Sequence, residues 1–263
     1  MNEQTVITDV AGNGRATVTI NRPDVHNAFD DELIAALTGQ LEGLGNDDAV
    51  RVVVLTGAGK SFSAGGDLNW MQRTASYSED ENLVDAAALA RLMNTLHGLS
   101  KPTIARVQGD AYGGGVGLIA CCDIAVAVEP ARFSLSEVKL GLIPAVISPY
   151  VIAAIGERQA GRYMLSAERF DAAEARRGGL IHEVTAPDAL DAAVNGIVES
   201  LLANGPKAMA EAKALIRAVA GRPIDASLNA DTAARIARIR ASGEGREGVA
   251  AFLGKRKPDW TKT

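Results

Sequence analysis

Short apolar segments recur along the first half of the chain. Residues 16–20 alternate polar and apolar side chains, which predicts a strand with one buried face. Three further segments are almost wholly apolar, as is typical of strands that are covered on both faces. These segments are residues 50–56, 103–107 and 124–128. The pattern therefore predicts a sheet with several strands, most of them inside the molecule.

Helical patterns lie between these predicted strands. In residues 31–44 the apolar side chains follow a 3.6-residue period, and Asp30 precedes them at the position of an N-terminal cap. A longer helix is predicted over residues 79–96. Strands that alternate with helices in this way are typical of a largely parallel α/β arrangement.

The pattern changes in the last third of the chain. The segments 186–204, 206–220 and 226–242 are rich in alanine, favour helix and contain no strand-like run. We therefore predict two parts, an α/β core over residues 1–185 and a helical region over residues 186–263. Because alanine-rich helices each bury little apolar surface, we expect this helical region to pack against another subunit.

Composition and charge narrow the possible partners. The chain has 263 residues, 47% hydrophobic and 22% charged, which is enough for one large core. A formal net charge of -5 argues against a protein that coats nucleic acid or an anionic membrane. No apolar run reaches the roughly 18 residues that span a bilayer. We therefore expect neither nucleic acid nor membrane as a partner.

The cysteines and histidines bear on compartment and metal binding. The first ten residues lack a basic stretch followed by an apolar one, so we expect no secretory signal. Cys121 and Cys122 are adjacent in an apolar segment, which favours a buried, reduced pair and a cytoplasmic protein. His26, His97 and His182 are far apart and lack a metal-binding motif, so we expect no metal site.

Two glycine-rich turns each follow a predicted strand. The first reads SFSAGGDL over residues 61–68, and the second reads GDAYGGGVG over residues 109–117 and opens a helix. Glycine permits close backbone approach, and amides at a helix start favour developing negative charge. Two such turns could direct one N–H each at a single oxygen, which is the geometry of an oxyanion hole. Glycines that serve only close helix–strand packing fit the composition nearly as well.

Several longer motifs occur in a fixed order. They are NRPDVHNAF at 21–29, KSFSAGGDL at 60–68, KPTIARVQGDAYGGGVGLIACCDIAVA at 101–127, ARFSLSEVKLGLIP at 131–144, ERFDAAEARRGGLIHEV at 168–184 and REGVAAFLGKRKP at 246–258. In this order the chain resembles the enoyl-CoA hydratase/isomerase, or crotonase, superfamily over nearly its whole length. The stretch SEVKLGLIPAVISPYV most resembles bacterial methylglutaconyl-CoA hydratase-type members, which act in leucine and terpenoid breakdown.

The resemblance implies a fold, an assembly and a substrate class. The implied fold is a repeated ββα spiral core, followed by C-terminal helices that exchange contacts between subunits in trimers or hexamers. The implied partner is an acyl-CoA thioester, and no separate cofactor is expected because coenzyme A is part of the substrate. The implied activity is that of a lyase that hydrates a short or branched enoyl-CoA.

The resemblance also assigns catalytic roles. The backbone amides of Gly66 and Gly114 match an oxyanion hole, and Glu137, in FSLSE, matches an acid–base glutamate. Attack at the β-carbon of an α,β-unsaturated thioester places negative charge on the thioester oxygen. Two amide donors stabilise that enolate, and the loss of one such donor costs about 3–4 kcal/mol in other enzymes.

Further residues match segments that bind coenzyme A in the family. They are His26, Ala28, Ala64, Asp67, Leu68, Phe252 and Lys255. The backbone of Ala64 matches the position that bonds the adenine. Asp67 is better explained as a residue that fixes the loop after Gly66. Lys255 is equally compatible with phosphate contact and with an ordinary solvated helix end.

One position departs from the family's hydratases. They usually carry a second glutamate three residues after the second oxyanion glycine, where this chain has Gly117. Glycine can neither hold a water nor pass a proton, so Glu137 alone would take a proton from water and return it to the α-carbon. The turn after Pro144 also departs and reads PAVISP. Ser148 in this turn could hold a water or a substrate carboxylate, although a bond to its own backbone is favoured.

Three functions stay open at the level of sequence. Hydration ranks first because the members that look most similar are hydratases. A site with one glutamate also resembles isomerases, which move a double bond from the β,γ to the α,β position with one base. A non-catalytic acyl-CoA-binding protein is the third possibility, because Gly117 could mean that the acid–base pair has been lost.

Overall fold

The computed structural model describes residues 4–261, which form two sheets and ten helices. The strands are β1 Val6–Val10, β2 Arg15–Ile20, β3 Val52–Gly57, β4 Ser61–Ser63, β5 Thr103–Val107, β6 Asp110–Tyr112, β7 Ile124–Val128, β8 Arg132–Ser134, β9 Phe170–Asp171 and β10 Glu183–Thr185. The helices are α1 Asp31–Asn46, α2 Leu68–Thr74, α3 Glu79–Gly98, α4 Gly114–Cys121, α5 Ser148–Ser166, α6 Ala172–Gly178, α7 Leu190–Leu202, α8 Pro206–Val219, α9 Ala226–Ala241 and α10 Gly243–Leu253. The predicted α/β class is confirmed.

The larger sheet contains six strands in the order β1-β2-β3-β5-β7-β10. β1 and β2 form an antiparallel hairpin, and the other neighbouring strands run parallel. All six residues of β3 are buried, as expected of a strand that is covered on both faces. The largely parallel arrangement that the alternating pattern predicted is therefore present.

The smaller sheet contains four short strands in the order β4-β6-β8-β9. Its first three strands are parallel, and β9 is antiparallel to β8. Successive units each add one strand to the larger sheet and the next strand to the smaller sheet before a helix follows. These units are β3-β4-α2, β5-β6-α4 and β7-β8-α5. This repetition is the ββα spiral that the sequence resemblance implied.

The helices cover the sheets with the faces that the sequence pattern predicted. In α1 the side chains of Leu33, Leu37 and Leu41 are buried, and the Asp30 carboxylate accepts a hydrogen bond from the Leu33 amide at 2.8 Å. α4 is buried along nearly all of its length and packs against α3 and α5. The core thus surrounds most of α4, and the first residues of the helix can still take part in a site at its N-terminal end.

The described elements that follow β10 are all helical. α7 packs on β3, β5 and β7, whereas α8, α9 and α10 pack on one another. The proposed division at residue 185 stays a prediction, and its outermost residues, 1–3 and 262–263, lie outside the described part of the chain. None of the helices within residues 4–261 is both long enough and apolar enough to cross a lipid bilayer.

The two adjacent cysteines lie where α4 ends. Both thiols are free, and Cys121 is buried while Cys122 is partly buried. Burial raises the pKa of the Cys122 thiol to about 12. The thiols stay protonated near neutral pH, and the reduced state of the pair stays a prediction.

Candidate active site

The turn after β4 is held by backbone hydrogen bonds to the segment before α1. The Ala64 amide donates to the His26 carbonyl at 2.9 Å, and the Phe29 amide donates to the Gly65 carbonyl at 2.6 Å. The Asp67 amide donates to the Phe29 carbonyl at 2.8 Å. Within residues 4–261 no acceptor bonds the Gly66 amide, so its N–H is available to a ligand.

The turn after β6 opens α4. Gly113 has a φ of 49°, which favours glycine, and its amide donates to the Ser134 carbonyl at 2.9 Å. Gly114 is the first residue of α4, and in the described part of the chain its amide has no acceptor. The helix dipole adds partial positive charge at this end. The Gly114 N–H is therefore a second free donor.

The two turns are in contact, because β4 and β6 are neighbours in the smaller sheet. A Cβ added to Gly65 would lie 3.0 Å from the Tyr112 carbonyl oxygen and 3.8 Å from the Gly113 Cα. A Cβ added to Gly114 would lie 2.4 Å from Cε2 of Phe29, whose ring is buried. Glycine is thus needed here for close packing, and this packing also brings the two free amides to one region.

Glu137 begins a 3-10 turn, Glu137–Leu140, beside the second glycine turn. A Cβ added to Gly113 would lie 2.9 Å from Oε1 of Glu137. Oε2 is buried and has no hydrogen-bond partner among the described residues. Burial raises the pKa of this carboxyl above its ordinary value. A buried carboxyl oxygen without a partner, beside the turn that carries the free Gly114 amide, is suited to proton transfer on a bound molecule.

Arg22 connects the segments that surround the first turn. Its guanidinium donates to the Ala28 carbonyl at 2.5 Å and forms ion pairs with Asp30 at 2.7 Å and Asp67 at 3.2 Å. The other carboxylate oxygen of Asp67 caps α2 by accepting from the Asn69 amide at 2.8 Å. Both oxygens of Asp67 are therefore engaged within the protein, as a loop-fixing role requires.

Position 117 faces a hydrocarbon side chain. A Cβ added to Gly117 would lie 2.2 Å from Cγ2 of Ile147 and 3.3 Å from Cε of Met93. Ile147 is the residue before α5 and is 3% exposed. In the same turn the Ser148 hydroxyl donates to the Ala145 carbonyl at 2.8 Å, so the favoured interpretation of Ser148 is confirmed.

Five of the residues that match coenzyme A-binding positions lie around the first turn, and Asp67, already described, is one of them. The exposed His26 ring is 3.1 Å from the Ser61 hydroxyl, and the buried Ala28 bonds Arg22 through its carbonyl. In the described residues no donor bonds the Ala64 carbonyl, so that oxygen is open to a ligand, and Leu68 is exposed at the start of α2.

The structure places the other two residues of this set elsewhere. Phe252 and Lys255 are exposed at the end of α10, which packs against α8 and α9. No hydrogen bond or ion pair in the described part of the chain joins either side chain to the glycine turns. Their contact with coenzyme A stays a prediction, and so does the binding role of the whole set.

Three residues near the site had no role in the sequence-based prediction. Arg22 and Phe29 lie within the motif NRPDVHNAF, so the motif itself was a signal that they matter. Ile147 carried no comparable signal, because only the fold brings it against Gly117. Across residues 4–261 no three His, Cys, Asp or Glu side chains gather as a metal site would require. The expectation that no metal or cofactor is needed stays a prediction.

Comparison with known proteins identifies relatives over nearly the full chain. A family model described as "Enoyl-CoA hydratase/isomerase" matches residues 11–263. The 2,3-dehydroadipyl-CoA hydratase of Escherichia coli is 33% identical over 244 residues, which is 92% of this chain and 93% of that protein. The crotonyl-CoA hydratase of Syntrophomonas wolfei is 31% identical over 247 residues, 93% of this chain and 94% of that protein.

The fold is also similar to the folds of solved structures. An enoyl-CoA hydratase from Shewanella pealeana superposes with a TM-score of 0.95 and 48% sequence identity, and the match covers 98% of this chain and 96% of that one. Both the order of motifs and the ββα spiral are therefore shared with proteins of known structure.

Proposed function

Because the chain belongs to the enoyl-CoA hydratase/isomerase family, we propose that it hydrates a short or branched enoyl-CoA, with methylglutaconyl-CoA among the candidate substrates. Two relatives that are named as hydratases of specific enoyl-CoA esters support hydration. The observation that carries the proposal is the pair of free amides, Gly66 and Gly114, beside the unpartnered oxygen of Glu137.

In the proposed reaction the thioester oxygen accepts hydrogen bonds from the Gly66 and Gly114 amides. A water molecule attacks the β-carbon and gives a proton to the Glu137 carboxylate, while the electrons of the double bond form an enolate at the thioester. The protonated Glu137 then donates to the α-carbon, which restores the carboxylate and the thioester carbonyl. The donors act on charge that develops during the reaction, so they stabilise the transition state more than the substrate.

The coenzyme A part of the substrate is proposed to lie along the first turn. The open Ala64 carbonyl is suited to accept a hydrogen bond from the adenine amino group. The exposed His26 and Leu68 flank this position and offer a polar and an apolar contact. Phe252 and Lys255 are proposed to meet the nucleotide from the C-terminal helices, in this subunit or across a subunit interface.

Double-bond isomerisation is the second candidate, and a specific observation favours it. Position 117 is a glycine, and Ile147 occupies the space where its side chain would lie. Glu137 is therefore without a second carboxylate at that position. One base is sufficient to remove a proton from the α-carbon of a β,γ-enoyl-CoA and return it to the γ-carbon. Assays with crotonyl-CoA and with a β,γ-enoyl-CoA separate the two reactions.

The deciding experiment is Glu137→Gln, which keeps the side-chain shape and removes the base. We expect kcat for crotonyl-CoA or methylglutaconyl-CoA to fall by about 10²–10⁴-fold, while the Kd of a CoA ester changes less than about threefold. Glu129→Gln, at an exposed glutamate, is the matched control and should keep full activity. Retention of most of the activity by Glu137→Gln would contradict the proposed mechanism.

The same assays test the non-catalytic alternative. A wild-type protein that binds crotonyl-CoA, leaves the conjugated thioester absorbance unchanged for both substrates and isomerises no β,γ-enoyl-CoA would be a binding protein. Loss of that absorbance with formation of a 3-hydroxyacyl-CoA supports hydration.

A further inference from the structure

The glycines at the start of α4, and Gly113 just before it, face different neighbours. A Cβ on Gly114 would meet Phe29, and a Cβ on Gly115 would meet Ser63 at its carbonyl oxygen, 2.7 Å away. A Cβ on Gly113 would instead meet the Glu137 carboxyl. The Gly117 amide donates to the Gly113 carbonyl at 3.2 Å, so these two glycines lie one helical turn apart.

Ile147 is the neighbour of α4 at this next turn. Gly113, which faces Glu137, is the residue before α4, and Gly117, which faces Ile147, lies one turn into the helix. In addition, α5, which Ile147 precedes, packs against the 3-10 turn that Glu137 begins. The carboxyl and the hydrocarbon side chain therefore contact the start of α4 about one helical turn apart.

The contact between Gly117 and Ile147 leaves no room for another side chain. A Cβ at position 117 would lie 2.2 Å from Cγ2 and 2.8 Å from Cβ of Ile147. Ile147 is branched at Cβ and buried, so rotation about χ1 cannot relieve both contacts. A carboxylate at position 117 is therefore excluded by packing as well as being absent from the sequence.

We propose that Ile147 is a specificity-determining residue that limits the site to a single acid–base group by occupying the space in front of Gly117. This inference rests on the proposed function, because it concerns how that function divides between hydration and isomerisation. A hydrocarbon side chain offers water no hydrogen bond, whereas hydration needs a held water and isomerisation needs none. Ile147 thus lowers the rate of hydration relative to isomerisation, while Glu137 alone still accepts the proton of the attacking water.

The inference predicts a change in reaction preference when Ile147 is made smaller. The test compares kcat/KM for hydration of crotonyl-CoA with kcat/KM for isomerisation of vinylacetyl-CoA, its β,γ isomer. In Ile147→Ala, water can enter beside Glu137, so we expect the ratio of hydration to isomerisation to rise at least threefold. Val151→Ala is the matched control, because Val151 is equally buried one turn further along α5. Its ratio should stay within a factor of two of wild type.

A double variant tests the exclusion directly. Gly117→Glu/Ile147→Gly exchanges the large and small side chains, and we expect it to raise the ratio at least tenfold. Gly117→Glu alone should lower Tm by more than the double variant does, because only the double variant makes room for the new side chain.

Two sets of results would overturn different claims. If Ile147→Ala folds and is active but keeps the wild-type ratio, or if the folded double variant does so, the role of Ile147 is wrong and the proposed function stands. If the wild-type protein acts on neither substrate nor on methylglutaconyl-CoA, the proposed function fails and the inference about Ile147 fails with it.

Discussion

Glu137 shows how one residue can be placed for reactivity at the expense of stability. Its buried oxygen has no partner within the described residues, and burial raises the pKa of the carboxyl. A general base is most effective when its pKa lies near the working pH. The same burial disfavours the ionised form in the folded protein, so the feature that suits catalysis also destabilises the fold.

The first prediction concerns this conflict in Glu137→Gln. A carboxyl with a raised pKa binds its proton more tightly in the folded state, so its contribution to stability is full below the ordinary pKa and is lost as pH rises through the folded value. Glutamine does not ionise and shows no such loss. We therefore expect Glu137→Gln to gain stability relative to wild type as pH rises above the ordinary pKa of a glutamate, as measured by urea unfolding. A difference that does not vary with pH would contradict this account.

The second prediction separates the two glycines with free amides, Gly66 and Gly114. Gly114→Ala would push a Cβ to 2.4 Å from the buried Phe29 ring, whereas Gly66→Ala would place it 3.4 Å from Met71, an ordinary contact. We expect Gly114→Ala to lose about 1–3 kcal/mol of stability and at least tenfold in kcat, because the ring or the helix start must move. Gly66→Ala should keep its stability within about 1 kcal/mol and most of its activity.

The control for these variants is an alanine at an unrestricted glycine. Gly39 lies within α1, and a Cβ added there would meet nothing within 4 Å. Gly39→Ala should stabilise the protein by about 1 kcal/mol, because alanine is the better helix former. Equal losses of Tm in Gly66→Ala and Gly114→Ala would show that the packing account is wrong.

At the scale of elements, the site depends on how loops are connected. Arg22 follows β2, yet its guanidinium contacts the carbonyl of Ala28, the cap of α1 at Asp30 and the cap of α2 at Asp67. The three partners differ in sequence position but all border the turn that carries Gly66. Arg22 therefore positions the turn that carries the free Gly66 amide.

The third prediction is that Arg22→Met affects stability and catalysis together. It leaves two largely buried carboxylates without their cation, which costs on the order of 3 kcal/mol. We also expect KM for enoyl-CoA to rise and kcat to fall, because the Gly66 segment is no longer fixed. Arg22→Lys should restore the charge but not the forked hydrogen-bonding geometry of arginine. Its stability and kinetic constants should therefore lie between those of wild type and of Arg22→Met.

The matched control is a surface ion pair between α1 and α3. Arg91 pairs with Glu42 at 2.8 Å, and both side chains are well exposed. Arg91→Met should change stability by less than about 1 kcal/mol and leave kinetics unaltered. If Arg22→Met were as mild as Arg91→Met in Tm and in KM, the positioning role would be excluded.

The lengths of the individual strands explain which of them the sequence could predict. β5 and β7 have the predicted bounds, and β3 is shifted by only a residue or two, because each is a continuous apolar run inside the larger sheet. The strands of the smaller sheet have only two or three residues, too few for a pattern to repeat. Their existence is decided by the spiral, which stacks one ββα unit on the next.

The residues of the candidate site also divide into those that the sequence predicted and one that it did not. Gly66, Gly114 and Glu137 were predicted from ordered motifs, and the structure brings their segments together, although their roles await the experiments above. Ile147 could not be predicted, because its effect depends on a contact with Gly117 that only packing creates. Local sequence thus indicated the donors and the base, whereas tertiary contacts decide what surrounds them.

For the whole molecule, a feature that the fold leaves unexplained is the set of exposed apolar side chains on α8, α9, α10 and the segment between α8 and α9. The exposed side chains there are Ile216, Ile224, Ile236, Val249, Phe252 and Leu253. Where such side chains form one patch, it commonly marks a contact with another chain. This supports the proposal that residues 186–263 mediate assembly into trimers or hexamers.

The fourth prediction tests that assembly by sedimentation at micromolar concentration. We expect wild type to sediment as a trimer or hexamer and Ile216→Glu/Ile224→Glu to sediment as smaller species. Burial of each isoleucine contributes about 1.5–3 kcal/mol, and a buried glutamate adds a desolvation cost. Since each 1.4 kcal/mol is tenfold in affinity, two such changes weaken association by more than 100-fold. Far-UV circular dichroism should stay unchanged, because both side chains are exposed in the monomer.

Ala35→Glu, at an exposed position on α1, controls for the added charge and should sediment as wild type does. A monomeric wild type would contradict the proposed assembly. A double variant that keeps the wild-type mass would place the interface on another surface. Because Phe252 and Lys255 belong to the same region, dissociation that also raises KM for the CoA ester, with kcat unchanged, would indicate that assembly completes the nucleotide end of the site.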